Sequence, residues 1–129
     1  MVDYTFVFSG FAVTDIDAAR TFYRNTVGLT VNDESMGLLS IDLPAGGFVL
    51  VYPKPDHVAA SYTMLNLEVR DIDAAVDELT SRGATMLRYD GIEHDERGIS
   101  RGIAARQGPD IAWFADPSGN IISVLQNAD

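Results

Sequence analysis

The chain contains no cysteine. Disulfides, thiolate metal sites and cysteine nucleophiles are excluded together, although cysteine content alone does not fix a compartment. Histidine is nearly as scarce, with only His57 and His94. Basic residues are also few: nine Lys and Arg stand against 19 Asp and Glu, a formal charge of -10. Nucleic acid and anionic membrane both demand a basic footprint, so neither is an expected partner; a neutral or cationic ligand suits this charge, although an acidic surface more commonly serves solubility alone. No apolar run approaches the ~18–20 residues of a membrane span. Met1–Gly10 carries the acidic Asp3 and no basic flank, unlike a secretory signal, so the expected setting is the cytoplasm. There is no GxxxxGK[ST] phosphate loop and no GxSxG elbow, and no motif couples a serine to a histidine. Nucleophilic catalysis finds no support.

What remains is ordinary globular material. With 129 residues, 47% apolar and 22% charged, the chain fits one compact domain. Such a domain buries roughly two thirds of its unfolded surface without a staple. Within it one stretch occurs twice. Val13-Thr14-Asp15-Ile16-Asp17-Ala18-Ala19 returns 56 residues later as Val69-Arg70-Asp71-Ile72-Asp73-Ala74-Ala75. Each copy follows an apolar run and opens an amphipathic helix, so the repeated object is a strand-to-helix corner. Two copies are too few for a solenoid, which needs at least three units to bury a continuous core. The pattern predicts two modules facing each other across a shared interior.

Tyr4–Val13, rich in Phe, Val and Tyr, reads as a strand in which Gly10 marks a bulge or a close approach. Asp15 is then the N-cap, Asp17 lies in the positive first turn, and Ile16, Ala19, Phe22, Tyr23 and Val27 follow helical spacing as far as Gly28. Short β runs around Thr30–Asp33, Leu38–Leu43 and Phe48–Tyr52 form a meander, and Pro53-Lys54-Pro55-Asp56 ends the first module near residue 56. The second module, 57–129, repeats the order. Its strand is Tyr62–Val69, its cap Asp71, and its helix face Ile72, Ala75, Val76 and Leu79, ending at Gly83. Thr85–Tyr89 reads as another strand. Asp90–Asp110 is a polar, glycine-rich stretch in which Ile99–Ala105 reads as an irregular strand; a loop this long marks a lid or a disordered segment. Ile111–Ala115 and Ile121–Gln126 close the chain as a hairpin around Asp116-Pro117-Ser118-Gly119-Asn120, with Trp113 opposite Ser123 and Phe114 opposite Ile122.

This ordered set resembles the glyoxalase/bleomycin-resistance/dioxygenase superfamily, also called vicinal oxygen chelate. The likeness rests on two βαβββ units with a Val-x-Asp-x-x-x-Ala helix start, Phe22-Tyr23 in the first helix, and Trp113-Phe114-x-Asp116-Pro117-x-Gly119-Asn120 before the last strand. It implies an α+β fold of two tandem βαβββ modules, a curved mixed sheet around a central cleft, helices outside, and a homodimer. In metal-dependent members each module typically supplies one ligand from its first strand and one from its last. Counting back seven residues from the cap aspartates reaches Phe8 and Met64, and counting forward four from Gly46 and Gly119 reaches Leu50 and Ser123. None is a fitting ligand for a divalent cation in a cysteine-free chain, and the neighbours Val7, Ser9, Val49, Val51, Leu65, Ile122 and Val124 offer nothing better. The resemblance therefore implies a member with no metal and no other cofactor, like the drug-sequestering proteins of the bleomycin-resistance type.

Strand alternation places Phe8, Phe48, Leu50, Tyr52, Met64, Asn66, Trp113 and Ser123 on one face, a mostly aromatic wall with a few hydrogen-bonding groups. Such a wall suits an organic guest, with Trp113 as stacking platform and Asn66 as orienting group. A packed, ligand-free interaction module would show the same apolar face. An enzyme is the other alternative: a lyase, isomerase or dioxygenase with metal ligands relocated to His94 and Glu93, or a metal-independent one using Glu68 as acid or base. The pairs Asp15/Asp17 and Asp71/Asp73 are explained by helix capping. Arg97, Arg101 and Arg106 have the chemistry to clamp a carboxylate or phosphate, though arginines across a glycine-rich loop are ordinarily solvated.

Overall fold

The computed structural model describes residues 1–129. The chain divides into two compact units, Met1–Val58 and Ala59–Asp129. No helix is long and apolar enough to cross a membrane.

In the first unit β1 (Ser9–Val13) leads into α1 (Ile16–Thr21), which continues as a π-helical segment, Phe22–Val27. Asp15 caps α1 by accepting from the Asp17 and Ala18 N–H groups at 3.0 and 3.1 Å. Gly28 ends the π segment in the left-handed region at φ 84°, where a side chain would be strained. A meander follows: β2 (Thr30–Asp33), β3 (Leu39–Asp42) and β4 (Phe48–Pro53). The sheet order is β1-β4-β3-β2, with β1 parallel to β4 and the others antiparallel. Alternation then sorts the faces. Leu39, Ile41, Val49 and Val51 are buried with Val13, Ala19 and Tyr23, while Phe48 and Leu50 are half-buried and Tyr52 is exposed.

The first strand is shorter than its composition predicts. Its partner β4 begins at Phe48, and the ladder starts with Ser9 opposite Val49, so the residues before Ser9 meet no strand. The rings of Phe6 and Phe8 instead stack on Phe48, at centroid distances of 5.8 and 5.0 Å. Gly10 marks a close approach: a Cβ there would stand 3.3 Å from the Leu50 carbonyl oxygen.

The second unit has the same order. β5 (Thr63–Glu68) precedes α2 (Ile72–Ser81), then come β6 (Ser100–Arg101), β7 (Asp110–Ala115) and β8 (Ile121–Gln126), in sheet order β5-β8-β7-β6. The fold is thus α+β, with one mixed four-stranded sheet and a helix in each βαβββ-like unit. Asp71 caps α2 through the Ala74 N–H, and the Gln126 Oε1 accepts the Ile72 N–H. Ile72, Val76 and Leu79 bury the inner face of α2, in a core that also takes Ala112, Phe114, Ile122 and Val124. Trp113 stands opposite Ser123 and Phe114 opposite Ile122, as the turn symmetry predicts. Asp116 organises that turn, accepting from the Ser118 and Asn120 N–H groups and from Asn120 Nδ2 at 2.8–2.9 Å.

Thr85–Tyr89 does not form a ladder. It makes a single bridge, Leu87 to Trp113, because β6 takes the edge of β7 beyond that point. The irregular strand expected over Ile99–Ala105 shrinks to Ser100–Arg101, since the chain turns at once: any Cβ at Gly102 would collide with the Pro109 carbonyl oxygen.

Candidate functional site

Two concave surfaces carry the aromatic residues singled out above, one in each unit. In the second unit a cleft of about 800 Å3 lies over β6 and β7. Trp113, Ile111, Ile92 and Pro109 supply its apolar lining; Glu93, Ser100, Arg101 and Gln107 supply polar groups. Its volume falls in the range of small-molecule pockets. Two rings meet Trp113 edge-on, Tyr89 at 5.4 Å and His94 at 6.0 Å, fixing the indole.

His94 has a defined task. Its Nε2 accepts the Tyr89 N–H at 3.0 Å, and its Nδ1 lies 2.8 Å from the Gly98 carbonyl oxygen. Since Nε2 must be the acceptor, the proton sits on Nδ1 and the ring is neutral. Both nitrogens are committed to backbone, which leaves neither for a cation or a substrate proton.

The loop between α2 and β7 is anchored by carboxylates. Asp95 Oδ1 accepts from the Arg97 and Ile99 N–H groups, both at 2.9 Å, and its Oδ2 from Arg101 Nε at 3.0 Å. Arg101 also forks onto Asp73 at 2.6 and 3.2 Å and lies 3.5 Å from Asp110. Arg97 pairs with Asp77 at 2.9 Å and reaches Asp73 at 3.4 Å. These contacts tie the loop to the first two turns of α2. The Arg101 hydrogen bonds hold the Asp73 carboxyl below the usual range, against partial desolvation. Burial pushes Asp95 up, but the Ile99 N–H, the Arg101 guanidinium and the Arg97 N–H together outweigh it and leave it lowered. Asp73, foremost, holds Arg101 more firmly protonated.

In the first unit a smaller cleft, about 450 Å3, is lined by Phe8, Phe48 and Leu50 with Asn32, Glu34, Ser40 and Asp42. Asn32 Nδ2 donates to Asp42 Oδ1 at 3.0 Å and to Ser40 Oγ at 3.3 Å, and the Ser40 hydroxyl donates to Glu34 Oε2 at 2.7 Å.

Of the eight wall residues, Phe8, Phe48 and Leu50 share the first-unit cleft, with Tyr52 exposed further along β4. Trp113 lines the second-unit cleft. Ser123 is fully buried and donates to Asn66 Oδ1 at 2.6 Å, while Met64 sits at a register shift between Thr63 and Leu65. Glu68 is exposed at the end of β5. At the positions where the resemblance implies metal ligands the side chains are those of Phe8, Leu50, Met64 and Ser123, which do not fit a divalent cation. No group of three or more His, Asp or Glu side chains is arranged to hold one. Sequence reasoning assigned Asp73 to capping and gave Asp95 and Asp110 no part in pairing an arginine. Only the chain's tertiary path brings these to Arg101; the spacing holds no such signal.

The chain is a duplicated βαβββ scaffold with an aromatic residue in a concave face of each module. The model of the Glyoxalase/Bleomycin resistance protein/Dioxygenase superfamily matches residues 5–124, and the chain belongs to that superfamily. No curated protein sequence matches it. Among solved structures it is similar to TnmS3, an antibiotic binding protein from Streptomyces sp. CB03234, at 24% identity and TM-score 0.66 over 98% of this chain and 100% of that one. It is also similar to a glyoxalase/dioxygenase from Nostoc punctiforme, at 14% and 0.68 over all of both chains. A genomically encoded fosfomycin resistance protein from Listeria monocytogenes matches at 12% and 0.69 over 98% and 96%. At these identities the likeness concerns the fold.

Proposed function

We propose that the chain is a small-molecule-binding member of its superfamily, holding an organic guest without a metal and with Trp113 as the stacking platform. The observation that carries this reading is the cleft of about 800 Å3 over Trp113, whose adjacent histidine is wholly engaged with backbone. A pocket of that size with an indole and aliphatic lining retains aromatic molecules through burial and stacking. Asn66 lies outside the cleft lining but across Ser123 from Trp113, and with its Oδ1 held by Ser123 we assign its amide N–H groups the orienting role. Phe8, Phe48 and Tyr52 add aromatic surface and Leu50 aliphatic surface in the first unit, and Met64 a flexible apolar one in the second. The antibiotic binding named for TnmS3 is consistent with this role. We place the protein in the cytoplasm as a homodimer. Trp113 is the only tryptophan, so its emission reports one site. Across a panel of aromatic and cationic compounds, at least one should change that emission saturably and raise the melting temperature in step. Emission unaltered by the whole panel would contradict the role of Trp113.

A further inference from the structure

We infer that the Trp113 cleft selects its guest by charge: it takes aromatic molecules that are uncharged or cationic and carry a hydrogen-bond donor, and it rejects carboxylates and phosphates. The inference rests on the binding role proposed above and adds the chemical class of the guest.

Arg101 is the only basic side chain along the cleft lining, and an arginine in a pocket would ordinarily invite an anion. Here its donors are taken. Nε and Nη2 point to Asp95 at 3.0 and 2.9 Å, Nη2 and Nη1 to Asp73 at 2.6 and 3.2 Å, and Nη1 lies 3.5 Å from Asp110. A guest carboxylate would have to displace one of these carboxylates, each held in place by the fold. Asp95 is fixed by two backbone N–H groups, and Asp110 by the Ile103 N–H at 3.1 Å. The neighbouring arginine is no freer: Arg97 is shared among Asp77, Asp73 and Glu96. Two guanidiniums thus share five carboxylates, and Arg88 is engaged by the Asp95 and Glu96 carbonyls. Within the lining itself Glu93 and Asp95 outnumber Arg101, so its net charge is negative. An incoming anion meets repulsion where its counter-ion should be.

The uncommitted polar groups point the same way. The Glu93 carboxylate, the Ser100 hydroxyl, the Gln107 amide and the Trp113 indole N–H line the cleft without hydrogen bonds to the protein. Glu93 is the one charged member of that set, and a carboxylate accepts only. Glu93 is exposed, so a guest N–H or O–H there competes with water, and an ammonium does so with charge assistance. The other three groups both donate and accept or donate singly, so a neutral guest is also satisfied. The aromatic body rests on Trp113 and on Ile92, Ile111 and Pro109, where a cationic group near the indole gains a further attraction to the ring.

Three probes that share a phenyl ring and differ in their head group test this: 2-phenylethylammonium, 2-phenylethanol and 3-phenylpropionate. Each is titrated against Trp113 emission at low and at high ionic strength. The expected order is ammonium tightest, alcohol next, and propionate at least tenfold weaker than the ammonium at low salt, with the gap narrowing as salt screens the carboxylates. Glu93→Gln should weaken the ammonium several-fold more than the alcohol. Propionate binding as tightly as the ammonium would overturn the charge selection while leaving Trp113 a binding platform. No saturable change with any of the three would overturn the charge selection and the binding role together.

Discussion

Asp17 and Asp73 hold the same position in the repeated heptapeptide, yet they make different contacts. Asp17 takes Arg20, three residues on, at 2.7 Å on the surface; Asp73 takes Arg101, 28 residues on, at 2.6 Å in a half-buried network. The difference follows from what each module does after its helix. The first completes a regular meander whose three antiparallel strands, β2, β3 and β4, bond along their backbones. The second reduces the outer strand to two residues, so its long loop has little ladder to lean on and is anchored by side-chain charge instead. A duplicated scaffold can thus keep a four-stranded sheet in both halves while replacing most of one outer strand with a loop braced by charge.

The sharpest way to break that contrast is to remove the brace. Asp95→Ala deletes hydrogen bonds to two backbone groups and one guanidinium, and should cost about 3 kcal/mol of stability. Hydrogen exchange should accelerate over 89–101 and stay unchanged in the first unit. Its counterpart among exposed groups, Asp42→Ala, should cost below about 1 kcal/mol. Acid should mimic the larger change. Asp73 and Asp95 titrate lower folded than unfolded, so they stabilise the fold at neutral pH, and that contribution disappears as pH falls from about 4 through their folded values. Loop exchange followed against pH will show it.

Glycines give the next step. Gly98 has φ +89° and a Cβ there would stand 2.8 Å from the Met86 Cβ, whereas Gly46, at φ +117°, looks onto open space. Gly98→Ala should therefore cost about 2–3 kcal/mol by thermal or denaturant unfolding, and Gly46→Ala about 1 kcal/mol. The smallest effect concerns the caps. Asp15 satisfies two N–H groups alone, while Asp71 takes one and Gln126 another. Asp15→Ala should cost about 1 kcal/mol and Asp71→Ala less, with Asp71→Ala and Gln126→Ala together approaching the Asp15 value.

Local chemistry explains how much of this the sequence made legible. Both helix caps, Gly28 and Gly83, the Asp116–Asn120 turn and the Trp113/Ser123 register could be read because each depends on residues within a few positions, or on strict alternation. The shortened first strand could not, since whether Tyr4–Phe8 pairs depends on where β4 begins rather than on their own propensity. Trp113 stood out as the aromatic of the cleft, but the tasks of His94, Asp95 and Arg101 did not. Tyr89 and Gly98 occupy the imidazole through backbone atoms, and Asp73, Asp95 and Asp110 neutralise Arg101 from three separate segments.

The central claim, that a guest rests on Trp113, is tested most directly by the indole N–H resonance in a 1H–15N spectrum. A chain with one tryptophan gives one such signal. On titration with 2-phenylethylammonium it should move progressively and saturate, accompanied by the amides of Gly91–Arg101 and Ile111. An indole resonance that stays fixed while other signals move would place the guest elsewhere and contradict the account.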